Sequence, residues 1–139
     1  MSKIAREVAE HEINGWLDGN DISTDVESMN EADAEAFKSS TEFLVKPMMA
    51  GALTVNGDKL TYKPFNGSEL LGDLTFRQAN AGDMSSMRVT PGAEPEALLR
   101  LAGRLCSKDY KIMCSIKGRD YAVVTSVVGL LSGALQSSW

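Results

Sequence analysis

Asp73-Leu74-Thr75-Phe76-Arg77-Gln78-Ala79-Asn80-Ala81-Gly82-Asp83-Met84 reads as a strand that stops at a turn and hands over to a helical segment. Leu74 and Phe76 alternate with Thr75 and Arg77, the two-residue period of a strand with one apolar and one polar face. Asn80-Ala81-Gly82-Asp83 supplies turn residues, and Asp83 is placed to cap the helical turn that follows. Strand-rich sequence lies before this stretch and two apolar helical segments lie after it. That order predicts an α+β fold, mostly helical.

Upstream the period of two continues. Leu53-Thr54-Val55, Asn56-Gly57 and Leu60-Thr61-Tyr62 form a hairpin signal, with Asn56-Gly57 supplying left-handed turn residues. Residues 59–65 are expected to pair in turn with 71–77 across a loop containing Asn66-Gly67, and Pro64 marks an edge or a strand end. The result is a small antiparallel β-meander over about residues 52–78. Two or three strands are not stable alone in water, so C-terminal helices are expected to cover one face.

Downstream, Glu94–Cys106 has Leu98, Leu101, Ala102 and Leu105 at i, i+3, i+4 and i+7, with Arg100 and Arg104 on the opposite face. A short segment carrying Ile112, Met113 and Ile116 follows, closed by Gly118. In the last helix Tyr121, Val124, Val128, Leu131 and Leu135 are spaced as a seam, which Val123, Val127 and Leu130 widen almost all round. Such a helix is buried against its own domain or a partner. Residues 121–135 fall short of the roughly 20 apolar residues of a membrane span.

The opening of the chain differs. Residues 1–46 hold 4 Lys or Arg and 11 Asp or Glu; residues 47–139 hold 10 and 8. This sets an acidic helical N-terminal region, 1–46, apart from a β-meander plus helices, 47–139. Residues 2–18 carry an imperfect apolar stripe of Ile4, Val8, Ile13, Trp16 and Leu17, with Ser2 as a cap and Gly19 as a stop. Asn30 caps a second helix through Ala34, Phe37, Thr41 and Leu44 that Pro47 is expected to end. Both helices are poor in large apolar residues, so they are expected to pack onto another surface. Their charges face water, or pair with Lys108, Lys111, Lys117 and Arg119.

At 139 residues, 43% hydrophobic and 24% charged, the composition is that of an ordinary globular protein. A net charge of −5 disfavours nucleic acid, since nothing here neutralises a run of phosphates. No charged start followed by an apolar run marks a secretory signal, so Cys106 and Cys114 are expected as free, buried thiols in the cytoplasm. Asn66-Gly67-Ser68 then means only a turn.

No catalytic set emerges. The chain lacks a phosphate-cradling Gly-rich loop with Lys-Ser/Thr and a G-x-S-x-G elbow. Cys106 and Cys114, eight apart without histidines, make no zinc motif, and His11, the only histidine, reads as a surface residue. Asp73, Asp83, Asp109 and Asp120 stand at turns and helix starts, where capping is their expected role. Met48-Met49, Met84 and Met87 read as core filling or as an adaptable binding surface. Neither an enzyme nor a cofactor nor a metal is expected.

The order of these elements over residues 60–135 resembles the small tail assembly chaperones of contractile and siphoviral phages. The pattern is a short strand ending near Pro (Leu60-Thr61-Tyr62-Lys63-Pro64), a second strand Leu74-Thr75-Phe76-Arg77, and a polar turn Ala81-Gly82-Asp83-Met84. A leucine-rich helix Leu98-Leu99-Arg100-Leu101-Ala102 and a closing Asp120-Tyr121 helix complete it. The chain departs from the compact members by its acidic opening. The resemblance implies a non-enzymatic factor of the host cytoplasm that binds and solubilises the tape measure protein, helps recruit tail tube subunits and self-associates. Phe76, Arg77, Tyr121, Val124, Val128, Leu131 and Leu135 are then the expected partner contacts. Other readings are a structural tail or neck component of the virion and a host-directed inhibitor that binds a bacterial protein.

Overall fold

The computed structural model describes residues 4–20, 22, 24–67, 69, 71–85 and 94–132, so the expectations on Ser2, Ser68, Met87 and Leu135 lie outside the described residues. β1 (Leu53–Asn56), β2 (Lys59–Tyr62) and β3 (Leu74–Phe76) pair antiparallel in that order, the predicted meander. Register sets Leu53 against Tyr62, Leu60 against Phe76 and Tyr62 against Leu74. These five side chains share one face and are buried. On the other face the Thr61 and Thr75 hydroxyls meet at 3.0 Å.

Asn56 itself pairs with Lys59, so the turn is Gly57-Asp58, one residue on from the expected Asn56-Gly57. Gly57 takes the left-handed φ of 66°. β2 stops at Tyr62, short of Pro64, whose missing N–H cannot extend a ladder.

Helices cover this sheet from both halves of the chain. α1 (Arg6–Gly19) buries Ala9, Ile13, Trp16 and Leu17, while Val8, expected in the stripe, is 47% exposed. α2 (Glu31–Met49) starts at Asn30, whose side-chain oxygen accepts from the Asp33 N–H at 2.8 Å. It runs through Pro47 instead of ending there. In the last turn the missing N–H removes a single helical bond, and the Pro47 carbonyl still accepts from Ala52 N at 2.9 Å.

After α3 (Ala81–Ser85) comes α4 (Glu94–Cys106), which lies against β3 with Leu101, Ala102 and Leu105 buried. α5 (Tyr110–Met113) folds back on α4. The Lys108 carbonyl comes so close to Gly103 that a Cβ there would sit 2.7 Å from it. Glycine is required at that position by space, not by φ.

α6 (Arg119–Leu131) is buried along most of its length. Its most extensive contact is with α2, followed by α4. The acidic pair thus supplies much of the cover that the meander could not, and α1 and α2 also contact β1. One hydrophobic core runs from Ala9 to Leu131, through both sides of position 46. Among the described residues no helix is long and apolar enough to cross a membrane.

Candidate functional site

Two aspartates, each 1% exposed, fasten the sheet to the helices. Asp83 stands at the third position of α3. Its N–H donates to Asn80 Oδ1 at 2.9 Å, and its carboxylate accepts from the Asn80 N–H at 3.0 Å, a reciprocal cap. The same carboxylate accepts both ends of the Arg77 guanidinium fork, at 2.6 and 2.9 Å, and Arg104 Nε at 3.3 Å. Strand β3, the turn and α4 therefore meet on one buried charge. The hydrogen bond from Arg77 is the largest influence holding the Asp83 carboxyl well below the usual range, and it raises the guanidinium in return.

Asp120 was expected to cap α6. It does something else. Its Oδ1 accepts from the Tyr62 hydroxyl at 2.5 Å and from Phe65 N–H at 2.7 Å, and its Oδ2 accepts from Asn66 N–H at 2.8 Å. The carboxylate caps the loop after β2 instead of its own helix. Burial first, and the bond to Asp120 second, raise the Tyr62 hydroxyl far above the ordinary phenol range, so it stays protonated and donates. Asp109 precedes α5 without a side-chain capping bond, and Asp73 is exposed.

The structure separates the expected partner contacts. Phe76 (0% exposed), Val124 (1%), Val128 (0%) and Leu131 (8%) are core. The surplus apolar circumference of α6 is taken up by the chain's own α2 and α4, and Phe76 lies on the buried face of β3. Arg77 is tied to Asp83, its outer part in water. Tyr121 is on the surface, and Leu135 lies outside the described residues.

Sequence reasoning missed Phe65. It is 69% exposed, and Arg119 lies over its ring at 4.3 Å from the centroid. The available signal was a large aromatic beside Pro64 in a polar turn.

Cys106 and Cys114 are free, as expected, but only Cys106 is buried; Cys114 is exposed. Burial pushes the Cys106 thiol up to about 11, which suits a small core residue and not a nucleophile. His11 is exposed. Among the described residues no three His, Cys, Asp or Glu side chains are grouped to hold a metal ion. Asp83 and Asp120 are saturated by donors of their own chain, an arrangement suited to fixing backbone geometry. No family model, curated protein or solved structure matches this chain.

Proposed function

We propose that this chain is a phage tail assembly chaperone, a non-enzymatic factor that binds the tape measure protein in the host cytoplasm and helps recruit tail tube subunits. One observation carries the reading. Several of the residues on which the resemblance rests, Tyr62, Arg77, Asp83 and Asp120, are also where the fold is fastened. Arg77 and Asp83 join β3 to α3 and α4, and Asp120 joins α6 to the loop after β2. Short degenerate elements in a fixed order are what such a fastening demands, because each carboxylate needs its donors at set positions. Tyr121 and the outer part of Arg77 are the expected contacts that a partner can reach.

The test is co-expression with a phage tape measure protein from the same genome as this chain. The expected result is a tape measure that stays in solution, co-purifies with this chain and loses it on tube assembly, so that purified virions lack the chain. Finding the chain in purified virions would replace the chaperone by a structural tail component. Co-purification with a host protein and not with the tape measure would replace it by a host-directed inhibitor.

A further inference from the structure

Three asparagines of this chain are followed by glycine, in Asn14-Gly15, Asn56-Gly57 and Asn66-Gly67, and all three are exposed. Such a pair has a chemistry of its own. The main-chain nitrogen after an asparagine can attack the side-chain amide carbon, and glycine, without a Cβ, hinders that approach least. The attack needs the peptide after the asparagine to swing until its nitrogen faces Cγ. Sequence and exposure leave the three pairs equal; the backbone around them does not.

Asn14-Gly15 lies inside α1, so the peptide between them is held in the helical ladder. Asn56 closes the β1–β2 hairpin against Lys59. The Lys63 N–H donates to the Ala52 carbonyl at 2.8 Å. Hydrogen-bonded pairs alternate along an antiparallel ladder, so Thr54–Thr61 and Asn56–Lys59 are bonded pairs as well. The Asn56 carbonyl is thereby tied across the turn, and the peptide to Gly57 is tied with it.

Asn66 differs. Its own N–H donates to Asp120 Oδ2 at 2.8 Å, and the Phe65 N–H donates to Oδ1 at 2.7 Å, so the chain is clamped up to Asn66. Gly67, the next residue, belongs to no helix or strand. The Asn66 side chain makes no hydrogen bond among the described residues, which leaves its amide carbon open. A residue clamped on one side and free on the other keeps Cγ in place while the attacking peptide turns.

We propose that Asn66-Gly67 is a self-modifying site of the folded protein. The Gly67 nitrogen bonds to Asn66 Cγ and gives up its proton, and the side-chain nitrogen takes a proton and leaves as ammonia. Water then adds to the succinimide ring. Opening at Cγ leaves aspartate; opening at the main-chain carbonyl leaves isoaspartate, with the chain running through the side-chain carbons. No oxidant or reductant enters. The Asp120 bonds survive, since both of these backbone donors precede the reacting peptide. What changes is the loop beyond. It already exposes Glu69, and it gains a second carboxylate, ionised above about pH 4. Through isoaspartate it also gains a longer path to β3. The proposal does not rest on the tape measure reading.

Peptide mapping by mass spectrometry, after the full chain has aged at mildly alkaline pH, tests it. In the folded protein Asn66 should convert at least about tenfold faster than Asn14 or Asn56, a barrier difference of about 1.4 kcal/mol. Aspartate and isoaspartate should both appear at position 66. In urea the three rates should converge, because helix and ladder no longer hold the other two pairs. Gly67→Ala should slow the conversion at least about tenfold. Its Cβ would meet Pro64 in ordinary contact at 3.4 and 3.5 Å, so circular dichroism should be unchanged. Asn66 converting no faster than the other two in the folded chain overturns the proposal. So does a preference for Asn66 that persists undiminished in urea, or a Gly67→Ala chain that converts like wild type.

Discussion

In the N-terminal helical pair Arg6 holds Glu10 at 2.9 Å and Glu42 at 2.5 Å, all three side chains about half in water. At the sheet, Asp83 and Asp120 are 1% exposed, and their carboxylates accept hydrogen bonds from Arg77, Arg104 and Asn80 and from Tyr62, Phe65 and Asn66 respectively. The shortest contacts in the two regions are equally close, but their consequences differ. An exposed pair exchanges one set of water contacts for another and is screened by salt. A buried carboxylate has no water to return to, so each lost donor leaves an uncompensated charge or an orphaned N–H. The acidic region is thus held on by its apolar stripe, and the sheet region by its apolar face together with two buried charges.

The strongest way to break that comparison is Asp120→Ala. It strands the Tyr62 hydroxyl and two loop N–H groups, and urea unfolding should show a loss of about 3–5 kcal/mol. A loss no greater than that of a surface substitution would mean that water replaces the carboxylate and the loop is not fastened. Leu101→Ala removes a 2%-exposed core side chain and should cost about 2–4 kcal/mol. Its value calibrates apolar burial against buried charge in the same region.

Gly103→Ala comes next. Its Cβ would lie 2.7 Å from the Lys108 carbonyl carbon's oxygen, and shifting that backbone should cost about 1–3 kcal/mol despite alanine's better helix propensity. A stabilised variant, read by thermal melting, would show that α4 and the segment after it part easily.

Acid sharpens the contrast further. The folded pKa of Asp83 is lowered, chiefly by Arg77, so its contribution is complete above the unfolded carboxylate value of about 3.9. It drains away as the pH falls through the lower folded value. Stability should therefore decline from about pH 4 downward, and the decline should be shallower in Asp83→Asn. Parallel acid profiles for the two proteins would remove Asp83 from the account. The smallest effect belongs to Arg6→Ala, which should leave the unfolding midpoint unchanged within error. A clear drop would promote the exposed network from solvated charge to structural contact.

Much of the local structure was legible in the residues. The alternation of Leu53, Leu60, Tyr62, Leu74 and Phe76 located the meander, and Asn30 marked the start of α2 through its own side chain. Leu101, Ala102 and Leu105 showed the buried face of α4. The turn at Gly57-Asp58 was misplaced by one residue, because an Asn-Gly signal fits two registers and only cross-strand pairing chooses between them. The apolar seam on α6 is covered by the chain's own α2 and α4, which its sequence left open for a larger reason. An all-round apolar helix announces that it is covered, but its own sequence does not say by what.

Periodicity, caps and turn residues act within a few positions of one another, and at that range the sequence by itself determined this protein: three short strands, the helices around them and an acidic opening. Only the tertiary structure decided that α2 covers α6, that Asp120 reaches back 54 to 58 residues to the loop after β2, and that Gly103 must leave room for the Lys108 carbonyl. Each of those contacts joins groups whose neighbourhood depends on how every other element packs. A buried charge finds its donors, and an apolar face its cover, only once the whole core has closed around them.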